Sequence, residues 1–142
     1  MKFLLSFLTL LFFMSFTGYA QDLSHHQWKD RLVLILTADP NSEGVQEQLA
    51  RFREKEEGMN ERKLVLYQMT PAQFRIGLSE KGEWRSGKAL FEKYKRSSSS
   101  FELFLIGLDG GVKLFRKSPV SCEELFGRID QMPMRKAEME RH

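Results

Sequence analysis

Thiol-based nucleophilic or redox chemistry in this chain would have to run through Cys122, its only cysteine. A peroxidatic or disulfide-exchanging thiol needs a lowered pKa, access to substrate and usually a resolving partner. Cys122 falls in the first turn of an expected helix, where the positive end of the helix dipole favours a thiolate. Glu123 and Glu124 beside it oppose that, and it shares an apolar stripe with Leu125, Phe126 and Ile129. The pattern is that of a small core hydrophobe. The alternative is a one-cysteine thiol or peroxidase-like enzyme using Cys122. General base catalysis would draw on His25, His26 or His142, and no histidine stands between positions 27 and 141. Met132, Met134 and Met139 with His142 are soft ligands of the kind that hold Cu(I). Met-x-Met spacing is short, however, and methionine is foremost a filler of cores. No metal site and no cofactor is assigned.

Two segments are candidates for meeting a ligand or partner. Asp39, Asn41 and Ser42 follow the first apolar run and open a helix, whose free amides suit an anion. Their structural role would be to cap that helix. Met132-Pro133-Met134-Arg135 also reads two ways. Either the proline ends the last helix while the methionines close the core, or an apolar and basic segment projects to dock a partner.

The elements that must position these residues begin after a leader. Lys2 is followed by an apolar run from Phe3 to Phe16, and Gly18-Tyr19-Ala20 supplies the small residues of a cleavage site. The expectation is a signal peptide over 1–20, a mature N-terminus at Gln21, and a secreted or periplasmic protein with no membrane attachment after cleavage. The apolar run is short for a membrane span, which needs about 20 residues. No cysteine stands near the cut to carry a lipid. Removing twenty residues from 142 leaves 122, enough for one domain with a real core over 21–142. Of the 22 basic residues only Lys2 is lost, so the mature charge against 19 acids is +2. The two signs alternate along the chain, which argues against the clustered basic face of a nucleic-acid binder. An oxidising compartment favours disulfides, yet one cysteine allows no internal bridge, so Cys122 is buried, free or bridged to another chain.

The spacing of apolar residues then predicts the order of elements. Arg31 to Thr37 is a continuous apolar run, as in a strand covered on both faces. Asp39 or Asn41 caps a helix whose stripe is Val45, Leu49 and Phe52 and which stops at Gly58. A second strand covers Lys63 to Met69, and the helical connection between the two strands suits a right-handed parallel crossover. Thr70 to Gly87 reads as irregular, with a short helix near Pro71 to Ile76. A helix over Lys88 to Lys95 turns Leu90, Phe91 and Tyr94 inward. Phe101 to Gly107 and Val112 to Arg116 form a hairpin about the turn Asp109-Gly110-Gly111, with Lys113 just beyond it. Ser121 and Glu124 make a capping box for a last helix that Pro133 interrupts or bends. The expected fold is α/β and thioredoxin-like: a central mixed sheet, made of a parallel pair plus a C-terminal antiparallel hairpin, with helices on both faces.

Leu105 to Leu114, followed by Leu125-Phe126 and by Ile129 to Arg135, resembles a known family. It is the P-DUDES family of peroxiredoxin-like domains, filed as domain of unknown function number 4174 and found in exported bacterial proteins. Trp28, Arg31 and the Glu61-Arg62 pair also suit its pattern, and Met132-Pro133-Met134-Arg135 is the most specific element. The resemblance implies a thioredoxin-like fold and export but no established activity. Leu108 stands where the family's turn motif carries a lysine, so a binding role for that lysine does not transfer. Together these readings give an exported, non-catalytic binding module whose partner is an unidentified exported or extracellular protein.

Overall fold

The structure, a computed structural model, describes residues 22–142; the expected signal peptide and its cut lie outside the described residues. A 3-10 turn at Ser24–His26 leads into strand β1, Arg31–Thr37, in which every residue is buried. Helices α1 (Glu43–Glu54) and α2 (Glu56–Glu61) carry the chain to β2, Leu64–Met69. Strands β3 (Gln73–Ile76) and β4 (Arg85–Ser86) precede helix α3, Lys88–Tyr94. The chain ends with β5 (Phe101–Ile106), β6 (Val112–Arg116), α4 (Cys122–Asp130) and α5 (Pro133–Glu140).

The six strands form one sheet in the order β4-β3-β2-β1-β5-β6. Only β1 and β2 are parallel, with Arg31 opposite Leu64 and Leu36 opposite Met69. A parallel neighbour demands a crossover, which α1 and α2 supply; β2-β3, β3-β4 and β5-β6 are antiparallel pairs of consecutive strands, and β5 returns to lie antiparallel beside β1. Because alternate residues of a strand face opposite sides, β1 divides its apolar run between two cores. Val33 and Ile35 pack with Val45, Leu49 and Phe52 of α1 and with Cys122, Leu125 and Ile129 of α4. Leu32, Leu34 and Leu36 pack with Tyr67, Phe74, Phe104 and Leu90 of α3, under a flap that includes Leu23. Helices therefore cover both faces, as expected, and full burial on both sides is why the central strand shows no polar alternation.

Four local expectations are corrected. The segment Thr70 to Gly87 holds no helix near Pro71 but two short strands, β3 pairing antiparallel to β2 with Phe74 opposite Met69. Phe74 is buried against Tyr67, their rings stacked at 5.8 Å, and this tertiary contact overrides a weakly patterned sequence. Gly58 does not stop the first helix. It lies inside α2, where a Cβ would come within 2.8 Å of the Phe126 ring, so its use is close approach between helices. The residue at the N-cap of α1 is Ser42, with no side-chain cap, rather than Asp39 or Asn41. Of the capping box only half forms: Ser121 accepts the Glu124 amide at 3.1 Å, while the Glu124 carboxylate accepts from Arg116 at 2.6 Å. Of the two expectations for Pro133, interruption holds: α4 ends at Asp130 and Pro133 stands at the first position of a separate helix, where its missing N–H costs no hydrogen bond.

Candidate functional site

Cys122 opens α4 with its side chain inward and 4% exposed, and its thiol donates to the Arg51 carbonyl at 3.4 Å. Burial, then the charge of Glu123, pushes the thiol pKa up, so the neutral form prevails near neutral pH. The helix-dipole argument for a thiolate therefore loses to desolvation here. The loop at the carboxyl end of β1 holds itself together. The Asp39 carboxylate accepts the Asn41 amide at 2.9 Å, and the Thr37 hydroxyl donates to the Asp39 carbonyl at 3.0 Å. Asp39 and Asn41 are exposed and Ser42 is half-buried. Beside that loop, buried Glu102 of β5 accepts from the Ser97 amide and hydroxyl and from the Arg96 amide. Burial pushes the Glu102 carboxyl up, but these bonds and the charge of Lys95 outweigh it and leave the pKa lowered.

The other candidates gather at the opposite end of the sheet, where β1 begins and β5 ends. After β5 the turn closes with the Gly110 amide donating to the Gly107 carbonyl at 3.0 Å, and Gly110 sits at φ +82°. One Asp109 oxygen accepts the Gly111 amide at 2.9 Å and the other pairs with Lys113 at 2.8 Å. These bonds, Lys113 first, hold the Asp109 pKa down. Against the turn lie Met132, Pro133 and Met134, which with Arg31, Leu108 and Lys113 enclose a cleft of about 140 Å³. Met132 packs onto the core, whereas Met134 is 45% exposed. Thus two sequence motifs twenty residues apart, Asp109 to Lys113 and Met132 to Met134, share one cleft; the Asp39 loop does not join them.

Arg135, a projecting residue in one sequence reading, is 3% exposed. It belongs to a network of three arginines and three carboxylates that ties α5 to the rest of the domain. Arg31, wholly buried, donates to both oxygens of Glu138 at 3.2 and 3.3 Å and to the Arg62 carbonyl at 3.0 Å. Arg62 grips Asp130 at 3.0 and 2.8 Å. Arg135 reaches Asp130 at 3.2 Å, Glu138 at 3.4 Å and Glu61 at 2.8 Å. The hydrogen bond from Arg62 lowers the Asp130 pKa against the opposing effect of burial. For Glu138 burial acts upward, and Arg31 followed by Arg135 outweighs it.

The sequence match that decides the family covers residues 22–138, against the model described as Domain of unknown function (DUF4174). The chain belongs to that family. No curated protein matches it. Among solved structures, the DUF4174 domain is similar to the reduced 2-Cys peroxiredoxin of Plasmodium vivax, with a TM-score of 0.53. That match has 13% identity over 84% of this chain and 85% of the other. At that identity the likeness speaks for the fold, and the DUF4174 domain has the thioredoxin-like fold of a peroxiredoxin.

One constellation of this DUF4174 domain escaped the sequence reading. His26 lies between Asp30, 2.7 Å from Nδ1, and the Tyr67 hydroxyl, 2.6 Å from Nε2. Burial raises the Tyr67 pKa. His26 and Asp30 also line a cleft of about 240 Å³ with Lys93, Tyr94, Asp109 and Gly110. The i, i+4 spacing of His26 and Asp30 was a visible signal, but Tyr67 stands 41 positions away and only the fold brings it in. Trp28, in the same lead-in, is 61% exposed at φ +67°, its amide donating to the Leu108 carbonyl at 2.7 Å. Among the described residues no group of three or more His, Cys, Asp or Glu could hold a metal ion, and no helix is long and apolar enough to cross a membrane.

Proposed function

We propose that this DUF4174 domain is an exported binding module that works without thiol chemistry and meets its partner at the end of the sheet carrying Trp28, the Asp109 turn and Met134. The observation that carries the reading is the position of Cys122. The one thiol of a peroxiredoxin-like fold is buried under α4 with its pKa raised, and the loop after β1 has none. A reactive thiol needs the reverse on both counts.

The other end of the sheet supports binding. Trp28, Val112 and Met134 are exposed large apolar side chains on or beside the turn. A bulky residue at positive φ is an uncommon and strained conformation, and such strain persists where the surroundings enforce it. The 2.7 Å bond to Leu108 does so for Trp28. Export is supported by the leader pattern of residues 1–20.

Titration of the mature protein with an aromatic disulfide reagent tests the reading. Cys122 is expected to react only after denaturation, and the folded protein to turn over neither peroxide nor a disulfide substrate. Fast reaction in the folded state, with activity lost in Cys122→Ser at unchanged stability, would establish the one-cysteine enzyme instead.

A further inference from the structure

Three of the five large apolar side chains exposed among the described residues, Trp28, Val112 and Met134, stand around the turn after β5. Trp28 is tied to it through the Leu108 carbonyl, Val112 follows it directly, and Met134 lines the cleft against it. The directional groups between them are already engaged. Gln27 donates to the Asp109 carbonyl at 3.0 Å, and the Asp109 carboxylate holds the Gly111 amide and Lys113. These groups are therefore not free to read the hydroxyls of a sugar or the backbone of a peptide. The ionic groups leave a positive surplus. Asp30 is held by His26, Asp109 by Lys113, and Glu61, Asp130 and Glu138 by the three arginines. Lys63 lies 4.0 Å from a Glu138 already gripped by Arg31, and exposed Lys29 joins none of the ion pairs among the described residues.

The path of the chain supplies the occupant. The apolar run Phe3 to Phe16 ends six positions before Asp22, so at most about 22 Å of chain separates them. Asp22 in turn lines one cleft with Asp109 and Gly110, beside the same turn. While the leader occupies a membrane during export, this face is delivered to the bilayer surface. An indole prefers that interface, its ring toward the acyl chains and its N–H toward the headgroups. Lysines beside it favour anionic lipid.

We propose that the Trp28 face docks on an anionic lipid surface, with Trp28, Val112 and Met134 entering the interface and Lys29 and Lys63 meeting lipid phosphates. The proposal rests on the binding-module reading and names the partner of that face. Three independent features converge on it: the clustered apolar tips, the unpaired lysine charge and the place where the leader joins the domain. Contact of this kind is peripheral and reversible and needs no membrane span. It replaces the expectation of a protein free of the membrane once its leader is cut.

The test follows Trp28 emission in the mature protein carrying Trp84→Phe, which leaves Trp28 as its one indole. Vesicles of phosphatidylglycerol and phosphatidylcholine in equal parts are added. A saturable blue shift, with quenching by brominated acyl chains, is expected at millimolar lipid, since three side-chain tips bury less than one fatty chain. Sedimentation with the same vesicles then reads the variants, both at sites exposed enough to leave the fold intact. Trp28→Ser should weaken binding about tenfold through lost apolar contact, and Lys29→Gln about fivefold. Binding untouched by either substitution would mean attachment at another surface and overturn the proposal. Phosphatidylcholine alone should bind far more weakly; equal binding to it would defeat the assignment to anionic lipid. Emission that stays red at every lipid ratio would also overturn the proposal and leave the face to a protein. None of these failures bears on whether Cys122 reacts, so the lipid contact and the binding-module reading fail separately.

Discussion

At one end of the sheet the polar groups find partners close by in sequence; at the other a network of arginines and carboxylates joins residues across almost the whole chain. Where β1 ends, Asp39 holds Asn41 two residues away, and Glu102 holds Ser97 and Arg96 at separations of five and six. Where β1 begins, Arg62 and Asp130 are 68 residues apart, Glu61 and Arg135 are 74 apart, and Arg31 and Glu138 are 107 apart. The first end is organised by its own loops, with partners no more than six residues apart in these bonds. The second is a junction of β1, α2, α4 and α5, so the surface mounted on it is as rigid as the fold. A binding face built there spends little entropy in ordering itself before contact.

Breaking the long-range end should have the largest effect. Glu138→Ala leaves Arg31 buried with its charge unmet and should cost about 3–5 kcal/mol, read from urea unfolding. Replacing both partners, Arg31→Met with Glu138→Leu, should recover most of that loss, since an apolar pair of similar volume carries no desolvation penalty. A single substitution costing under about 1 kcal/mol, the surface-pair range, would mean that α5 is not held by this network.

Acidification sharpens the comparison, because carboxylates at both ends take part. Glu102, Asp130 and Glu138 all have folded pKa values below the ordinary 4.5, 3.8 and 4.5. Groups depressed by folding contribute stability above their unfolded pKa and lose it as pH falls through the folded one. Stability should hold from neutrality to about pH 5 and then decline. Asp130→Asn should be less stable at pH 7 by about 1–2 kcal/mol and should have a shallower acid decline. An acid slope identical to that of the unaltered protein would remove Asp130 from the account. The smallest effect belongs to the local end: Asp39→Ala is expected to change stability by no more than about 0.5 kcal/mol, visible as an unmoved urea midpoint.

The same contrast decides what was legible in the sequence. Arg31 to Thr37, the stripe Val45, Leu49 and Phe52, the hairpin about Asp109 and the Ser121 cap were all readable, because each is a short-range pattern of apolar period or turn chemistry. Strand β3 was not, since its one inward anchor, Phe74, acquires meaning only against Tyr67 on the neighbouring strand. Gly58 looked like a helix stop because its contact, Phe126, is far along the chain. Of the candidate site, the turn and the methionines were visible as separate motifs, but their shared cleft was not. The segment ending at Arg135 stayed open between closing the core and projecting, because nothing local betrays three carboxylates converging on one guanidinium. Tyr67 was missed for the same reason: a hydroxyl in an apolar strand says nothing about a histidine in another segment.

The bond between Arg31 and Glu138 also bears on how the chain assembles. Sheet and helices up to α4 bring together nearly all of the apolar surface, yet completing that collapse would seal a guanidinium away from water with nothing to neutralise it. Burial of the start of β1 and docking of the final helix are therefore coupled through this pair. Contacts of such long sequence separation slow folding, because their loop-closing entropy is spent before any return. Loss of the Glu138 carboxylate is therefore expected to slow folding as well as to lower stability, because the contact it removes spans 107 residues.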